Sequence, residues 1–133
     1  MSVKFAAVGR VGTNPEQLTI GTGEDASPLV RFRVYFDGSV KSEDGYEDKY
    51  GFWRDIEIWR EGLGKRVAQH IRKGMLIAVQ GTEICKKREK DGEEYENYAI
   101  RADAVSLELV GVKSIEMAPK ASDAEDDSAR DAA

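Results

Sequence analysis

Phe52-Trp53-Arg54-Asp55-Ile56-Glu57-Ile58-Trp59-Arg60 alternates with a period of two, the repeat of a β-strand whose successive side chains face opposite sides. Phe52, Ile56 and Ile58 share one side, with Arg54 as its one polar member. Trp53, Asp55, Glu57 and Trp59 share the other. The two tryptophans therefore stand among carboxylates and off the core face. Their separation along the strand is roughly 20 Å, which suits a platform for separate flat groups. An aromatic ring on a strand is more often buried, so a second core or a subunit interface is the competing reading.

Downstream, Gly62 to Lys73 reads as a short helix, because Leu63, Val67 and Ile71 recur at i, i+4 and i+8 with Ala68 beside them. Lys65, Arg66, Arg72 and Lys73 take its exposed side, and Gly74 is placed to end it. His70 lies off the apolar stripe and reads as a surface histidine. Met75 to Arg88 is a long strand in which Gly81 marks a bulge. Asp91-Gly92 is a hairpin signal, since both positions accept positive φ. Glu93 to Leu109 returns as the last strand.

Upstream, Leu29 to Phe36 is the cleanest alternation: Val30, Phe32, Val34 and Phe36 face one way, Arg31, Arg33 and Tyr35 the other. Two guanidiniums and a phenol on one strand face match the Trp53/Trp59 face in kind. A solvated outer face is the plainer reading of that trio. Asp37 to Tyr50 is polar and reads as a long hairpin loop. Residues 3 to 12 form a first strand with Gly9 and Gly12 as bending points, followed by a Thr13-Asn14-Pro15-Glu16 turn and a short strand from Gln17 to Ile20. Three strand regions, one helix and two more strands give an all-β chain. That is the order of the OB-fold, a five-stranded Greek-key barrel with one short helix between strands three and four.

The 133 residues suit one domain, and a charged fraction of 34% indicates a soluble one. No apolar run approaches the ~20 residues that span a bilayer, and no signal peptide is read at the N-terminus. Cys85 is alone, which excludes an internal disulfide and fits the reducing cytoplasm. One Cys and one His exclude a zinc site of the usual Cys/His kind within one chain. No metal and no cofactor are expected. A glycine-rich phosphate loop is absent, and no Ser/His/Asp arrangement is evident that the single histidine would complete. Asp55 and Glu57 resemble a carboxylate pair but are expected to bridge to arginines. An enzyme is the least expected class.

The net charge of −5 hides a segregated pattern. From Arg60 to Lys90 nine Lys and Arg face three acids, a local net of +6, which leaves −11 for the remainder. A locally basic segment attracts anions even on an acidic protein, although such a run is commonly only a solvated face. Residues 1–112 read as the folded domain. Residues 113–133 carry six acids and three basic residues among Ala and Ser, too little apolar surface to offset ordering, so a disordered acidic tail is expected.

Five stretches, in this order and spacing, resemble the bacterial single-stranded DNA-binding proteins: Phe5 to Glu16, Leu29 to Phe36, Phe52 to Trp59, Val67 to Gly74, and Val79 to Ile84. The resemblance covers about residues 3 to 110 and implies an OB-fold that binds single-stranded DNA without sequence readout during replication, recombination or repair. It implies a homo-oligomer, a tetramer or dimer, and no membrane. Trp53 and Trp59 align with two of the family's base-stacking aromatics, and Lys73 with a basic residue of its DNA-binding surface. Arg31, Arg33, Tyr35, Lys86, Lys87 and Arg88 complete the candidate site, as groups that phosphates or bases would meet. The alternative is an OB-fold protein-interaction module with both tryptophans buried between subunits. Three departures stand out. Asp55 and Glu57 lie on the binding face and need Arg31, Arg33 or Arg60 to neutralise them. Arg88 occupies the place of a further tryptophan in many relatives, and a guanidinium also stacks on a base. The tail ends Arg130-Asp131-Ala132-Ala133 without the family's apolar tip, so the resemblance does not extend to tail-mediated protein partners.

Overall fold

A computed structural model describes residues 2–119. The elements are β1 (Val3–Val11), β2 (Glu16–Ile20), β3 (Ser27–Phe36), β4 (Ser39–Ser42), β5 (Gly45–Asp48), β6 (Phe52–Ile58), α1 (Glu61–His70), β7 (Leu76–Lys90) and β8 (Glu93–Leu107). The main sheet runs β1-β7-β8-β6-β3-β2, and β1 also pairs with β3 through Arg10↔Tyr35 and Val11↔Val34. That second pairing closes β1, β7, β8, β6 and β3 into a five-stranded barrel, with β2 as an outer hairpin partner of β3. The helix sits between the third and fourth barrel strands in chain order. The expected OB-fold is the observed one.

Strand alternation places the core. Val30, Phe32, Val34 and Phe36 of β3, Ile56 and Ile58 of β6, Ile77 and Val79 of β7 and Ile100 of β8 are all buried. Fully burying one such side chain contributes about 1.5–3 kcal/mol. Val67 and Ile71 dock α1 on the same cluster, with Leu63 and Ala68 partly buried beside them. Arg54, the polar member of the core side, stays at the rim. There its guanidinium bonds Glu83 at 3.0 Å and lies over the Phe52 and Tyr98 rings.

Two turn signals act as expected. Asp91 and Gly92 take φ 54° and 82° and set β7 against β8, so that Lys90 faces Glu93 and Lys86 faces Asn97. The register slips at Gln80/Gly81, where the bulge was expected. A Cβ on Gly81 would land on the Arg101 carbonyl of the neighbouring strand.

Two expectations change. The helix ends at His70, short of Lys73, because Ile71 is already extended and Arg72 turns its guanidinium onto the carbonyls of Ala68 and Ile71. Gly74 therefore serves the following turn, with φ 95° and its N–H on the Val11 carbonyl. The long hairpin loop read over residues 37–50 has strands of its own, an antiparallel ribbon β4–β5 that projects as an arm between β3 and β6. Of the tail read from the sequence, Lys113 to Pro119 has no regular structure and is exposed, and 120–133 lie outside the described residues.

Candidate nucleic-acid interface

Residues paired across a ladder share a side of the sheet, so the registers assemble the outer face. Between β3 and β6, Arg31 meets Glu57, Arg33 meets Asp55 and Tyr35 meets Trp53. Between β6 and β8, Glu57 meets Arg101. Between β7 and β8, Thr82 meets Arg101, Lys86 meets Asn97 and Arg88 meets Tyr95. Trp53, Trp59, Arg31, Arg33, Tyr35, Lys86 and Arg88 thus belong to one face. Lys87 faces Glu96, which turns it to the other side of the β7–β8 ribbon. Lys73 lies off the sheet in the exposed α1–β7 turn, where its N–H is held by the Asn14 side chain at 2.8 Å.

The face resolves into two aromatic units. Trp53, 47% exposed, has the Arg33 guanidinium 5.2 Å over its ring and the Tyr35 ring 5.1 Å away. Its six-membered ring rests on Gly12, where any Cβ would collide with it. Arg33 is bridged to Asp55 at 3.1 Å. An open recess of about 480 Å³ joins Trp53, Arg33 and Asp55 to Arg88 and Asn97. The second unit centres on Glu57, a carboxylate only 3% exposed. It accepts the Trp59 indole N–H at 3.2 Å, pairs with Lys86, and has the Arg101 guanidinium 4.0 Å away. Arg101 also lies 5.9 Å over the Trp59 ring.

Both carboxylates on this face are neutralised, though not wholly by the arginines expected. Arg33 takes Asp55, whereas Glu57 is served by Lys86 and Arg101, because the β8 register brings Arg101 in line with it. Arg31 instead bridges Glu16 at 3.4 Å, and Arg60 donates to the Asp103 carbonyl at 2.9 Å. The two units differ in what an incoming phosphate would displace. The Arg33–Asp55 and Arg31–Glu16 pairs are half exposed, and such pairs contribute only about 0–1 kcal/mol. Glu57 is buried, and leaving a buried charge unpaired costs several kcal/mol. Arg31 and Arg33 are therefore free to exchange, while Lys86 is held.

Sequence reasoning missed Arg101 and Tyr95. The Asp91-Gly92 turn held the signal: counting back from it places Arg101 across from Thr82 and Tyr95 across from Arg88. The Tyr95 ring, 47% exposed, adds a flat group opposite Arg88.

Tyr35 is also tied to the arm. Its hydroxyl donates to Asp48, whose carboxylate accepts the Gly38 and Gly51 N–H groups as well. The bond to Asp48 raises the Tyr35 pKa, helped by burial and by the charges of Asp48 and Asp37. The same bond, with the two backbone N–H groups, lowers that of Asp48 against the opposing effect of burial. A phenol raised on folding stabilises below its ordinary pKa of about 10 and stops doing so as pH passes its folded value. A carboxylate lowered on folding stabilises above its ordinary value near 4 and stops as pH falls through its folded one. The contact is therefore closed across the neutral range. In a phenolate absorbance titration of the five tyrosines, Tyr35 titrates late, alongside Tyr98, which the Glu96 charge raises. Tyr35→Phe should remove one late step; an unchanged late phase would place the hydroxyl elsewhere.

Comparison with known proteins follows this geometry. The model of the Single-strand binding protein family matches residues 3–108. The single-stranded DNA-binding protein of Rhizobium meliloti (strain 1021) is 27% identical over 79 residues, 59% of this chain and 44% of that protein. The chain thus matches less than half the length of that relative. The fold is similar to that of the small single-stranded DNA-binding protein from Streptomyces coelicolor, with TM-score 0.71, 21% identity, and coverage of 83% of this chain and 97% of that one. It is also similar to the Plasmodium falciparum SSB complex with ssDNA, with TM-score 0.64, 17% identity, and coverage of 80% and 94%.

Proposed function

The chain belongs to the single-strand binding protein family, and from that premise we propose that it binds single-stranded DNA without sequence readout, stacking bases on Trp53 and Trp59. The observation that carries this reading is the outer face itself, where the exposed Trp53 and the half-buried Trp59 each have a guanidinium over the ring and an open recess lies beside Trp53. Unpaired bases offer π faces that a duplex hides. Stacking one base on an aromatic ring, a magnitude characterised on this class of protein, is worth ~1–3 kcal/mol. Arg31, Arg33 and Arg88 take phosphates, Tyr35 and Tyr95 extend the flat surface, and Lys73 lies on the DNA path beyond the sheet. Lys86 serves the site by holding Glu57, and Lys87 stands outside it. The family membership supports a binding protein over an enzyme and over a module with both rings buried between subunits.

We extend the proposal to a cytoplasmic homo-oligomer, dimer or tetramer, acting in replication, recombination or repair. The edge of β1 from Val3 to Gly9, which pairs with β7 on one side and with β3 only from Arg10 on, supports a subunit contact there. Among the described residues no helix is long and apolar enough to cross a membrane. Residues 1–112 are proposed as the binding domain and 113–133 as an acidic tail.

The test is equilibrium binding of oligo-dT and of a duplex of equal length across a salt series. Oligo-dT should bind far more tightly, with an affinity that falls as salt rises. Arg33→Ala should flatten the log–log salt slope by about 0.7, one single-strand phosphate contact. Equal affinity for the two DNAs would overturn the reading, and an unchanged slope would remove Arg33 from it.

A further inference from the structure

We propose that Asp48 is a positioning residue for DNA binding: it latches the β4–β5 arm to Tyr35, and Tyr35 in turn fixes the ring of Trp53. This rests on the single-strand-binding reading of Trp53 and goes beyond it, since Asp48 lies on the arm and off the aromatic face.

The neck of the arm is a closed knot of bonds. Gly38 leads into the arm and Gly51 leads out of it, and both donate N–H to one oxygen of Asp48, at 3.2 and 2.9 Å. The Tyr35 hydroxyl donates to the other oxygen. The Tyr50 N–H meets the Gly38 carbonyl at 3.3 Å and closes the loop. The packing leaves no slack, because a Cβ on Gly51 would strike the Tyr35 hydroxyl and one on Gly38 would strike the backbone of Tyr50 and Gly51.

Trp53 is held from three sides: Arg33 over the ring, Gly12 beneath its edge, and Tyr35 tilted 58° against it. Gly12 is barrel backbone, and Arg33 is the group that a phosphate draws away. Tyr35 is then the wall that stays, and its far end is anchored by Asp48. The arm is a poor ligand for phosphate. Residues 37–50 hold five acids and two lysines, so they offer little that would bind a DNA phosphate. The effect of Asp48 on binding is thus routed through Trp53.

A double-mutant cycle tests that routing, with Asp48→Asn, Trp53→Ala and the pair measured against oligo-dT. The Asn side chain keeps an oxygen for the two glycines but replaces the ionised acceptor of the Tyr35 hydroxyl by a neutral amide, whose hydrogen bond is about half as strong. Asp48→Asn alone should weaken binding roughly 3- to 10-fold and add nothing on the Trp53→Ala background. Tyr35→Phe, which keeps the ring and removes only the hydroxyl, should reproduce the loss if Asp48→Asn proves unstable. A wild-type affinity in Asp48→Asn or Tyr35→Phe overturns the proposal. So does an equal loss on both backgrounds, which would mean that the arm acts on DNA directly. Tryptophan emission of the free protein separates this from the underlying reading: a shift in Asp48→Asn without any oligo-dT binding by the wild type would keep the latch and discard the DNA site.

Discussion

Trp53→Ala binds oligo-dT roughly 5- to 150-fold more weakly than the parent chain, the equivalent of ~1–3 kcal/mol for one lost stacking surface. Trp53 is the most exposed aromatic among the rings of the sheet face that also has a guanidinium over it, so a base stacked on it would find a partner for its phosphate at the same place. Nearly half exposed, its ring contributes less to the core than it offers to a ligand, and the variant should fold. Tyr46 is the control. It is 79% exposed on the acidic arm, and Tyr46→Ala should leave affinity within about twofold, as surface changes away from a binding patch do. Titration by fluorescence anisotropy with a labelled oligonucleotide reads both. Equal affinity of Trp53→Ala and the parent would place the bases elsewhere.

Gly81→Val destabilises the fold by about 2–3 kcal/mol, the cost of overpacking a site that has no room. Gly81 is buried between Phe5 of β1 and Ala102 of β8. A Cβ there would meet the Arg101 carbonyl and lie 2.8 Å from the Ala102 Cα. The obstruction is backbone, which no rotamer change relieves, so β7 must move away from β8 at the bulge. Thermal unfolding followed by circular dichroism should show a midpoint lower by roughly 8–13 °C for a domain of this size. The same shift would displace Arg101 from Trp59, so binding should fall below the unfolding range too. A variant as stable as the parent would show that the bulge is not where the barrel is tight.

The barrel was legible because its signals are local. Alternation over residues 29–36 and 52–58 assigns inside and outside within each strand, and Asp91-Gly92 sets a long hairpin with no tertiary information. The partners of charged groups were not legible in the same way. Glu57 and Arg101 are far apart in sequence and meet only through a parallel β6–β8 pairing that no turn encodes. The end of α1 was misplaced because Arg72 and Lys73 are good helix formers, while the chain must leave the helix to bring Gly74 under the Val11 carbonyl. The arm was hidden for a different reason. Ser, Gly, Lys and Glu carry weak strand propensity, and what organises this stretch is Asp48 bonding outward to Tyr35 and back to both ends of its own neck. Lys87 shows how much one register step matters: its neighbours Lys86 and Arg88 share the aromatic face, and it does not.

The most direct measurement is a titration of the intact protein with oligo-dT and with a duplex of equal length, following tryptophan emission at low and at high salt. Strong quenching by the single strand alone, weakened by salt, is the expected result, because stacked bases cover Trp53 or Trp59 and phosphates release counterions as they bind. Emission that stays constant with oligo-dT at low salt would contradict the account and assign both rings to contacts within the protein.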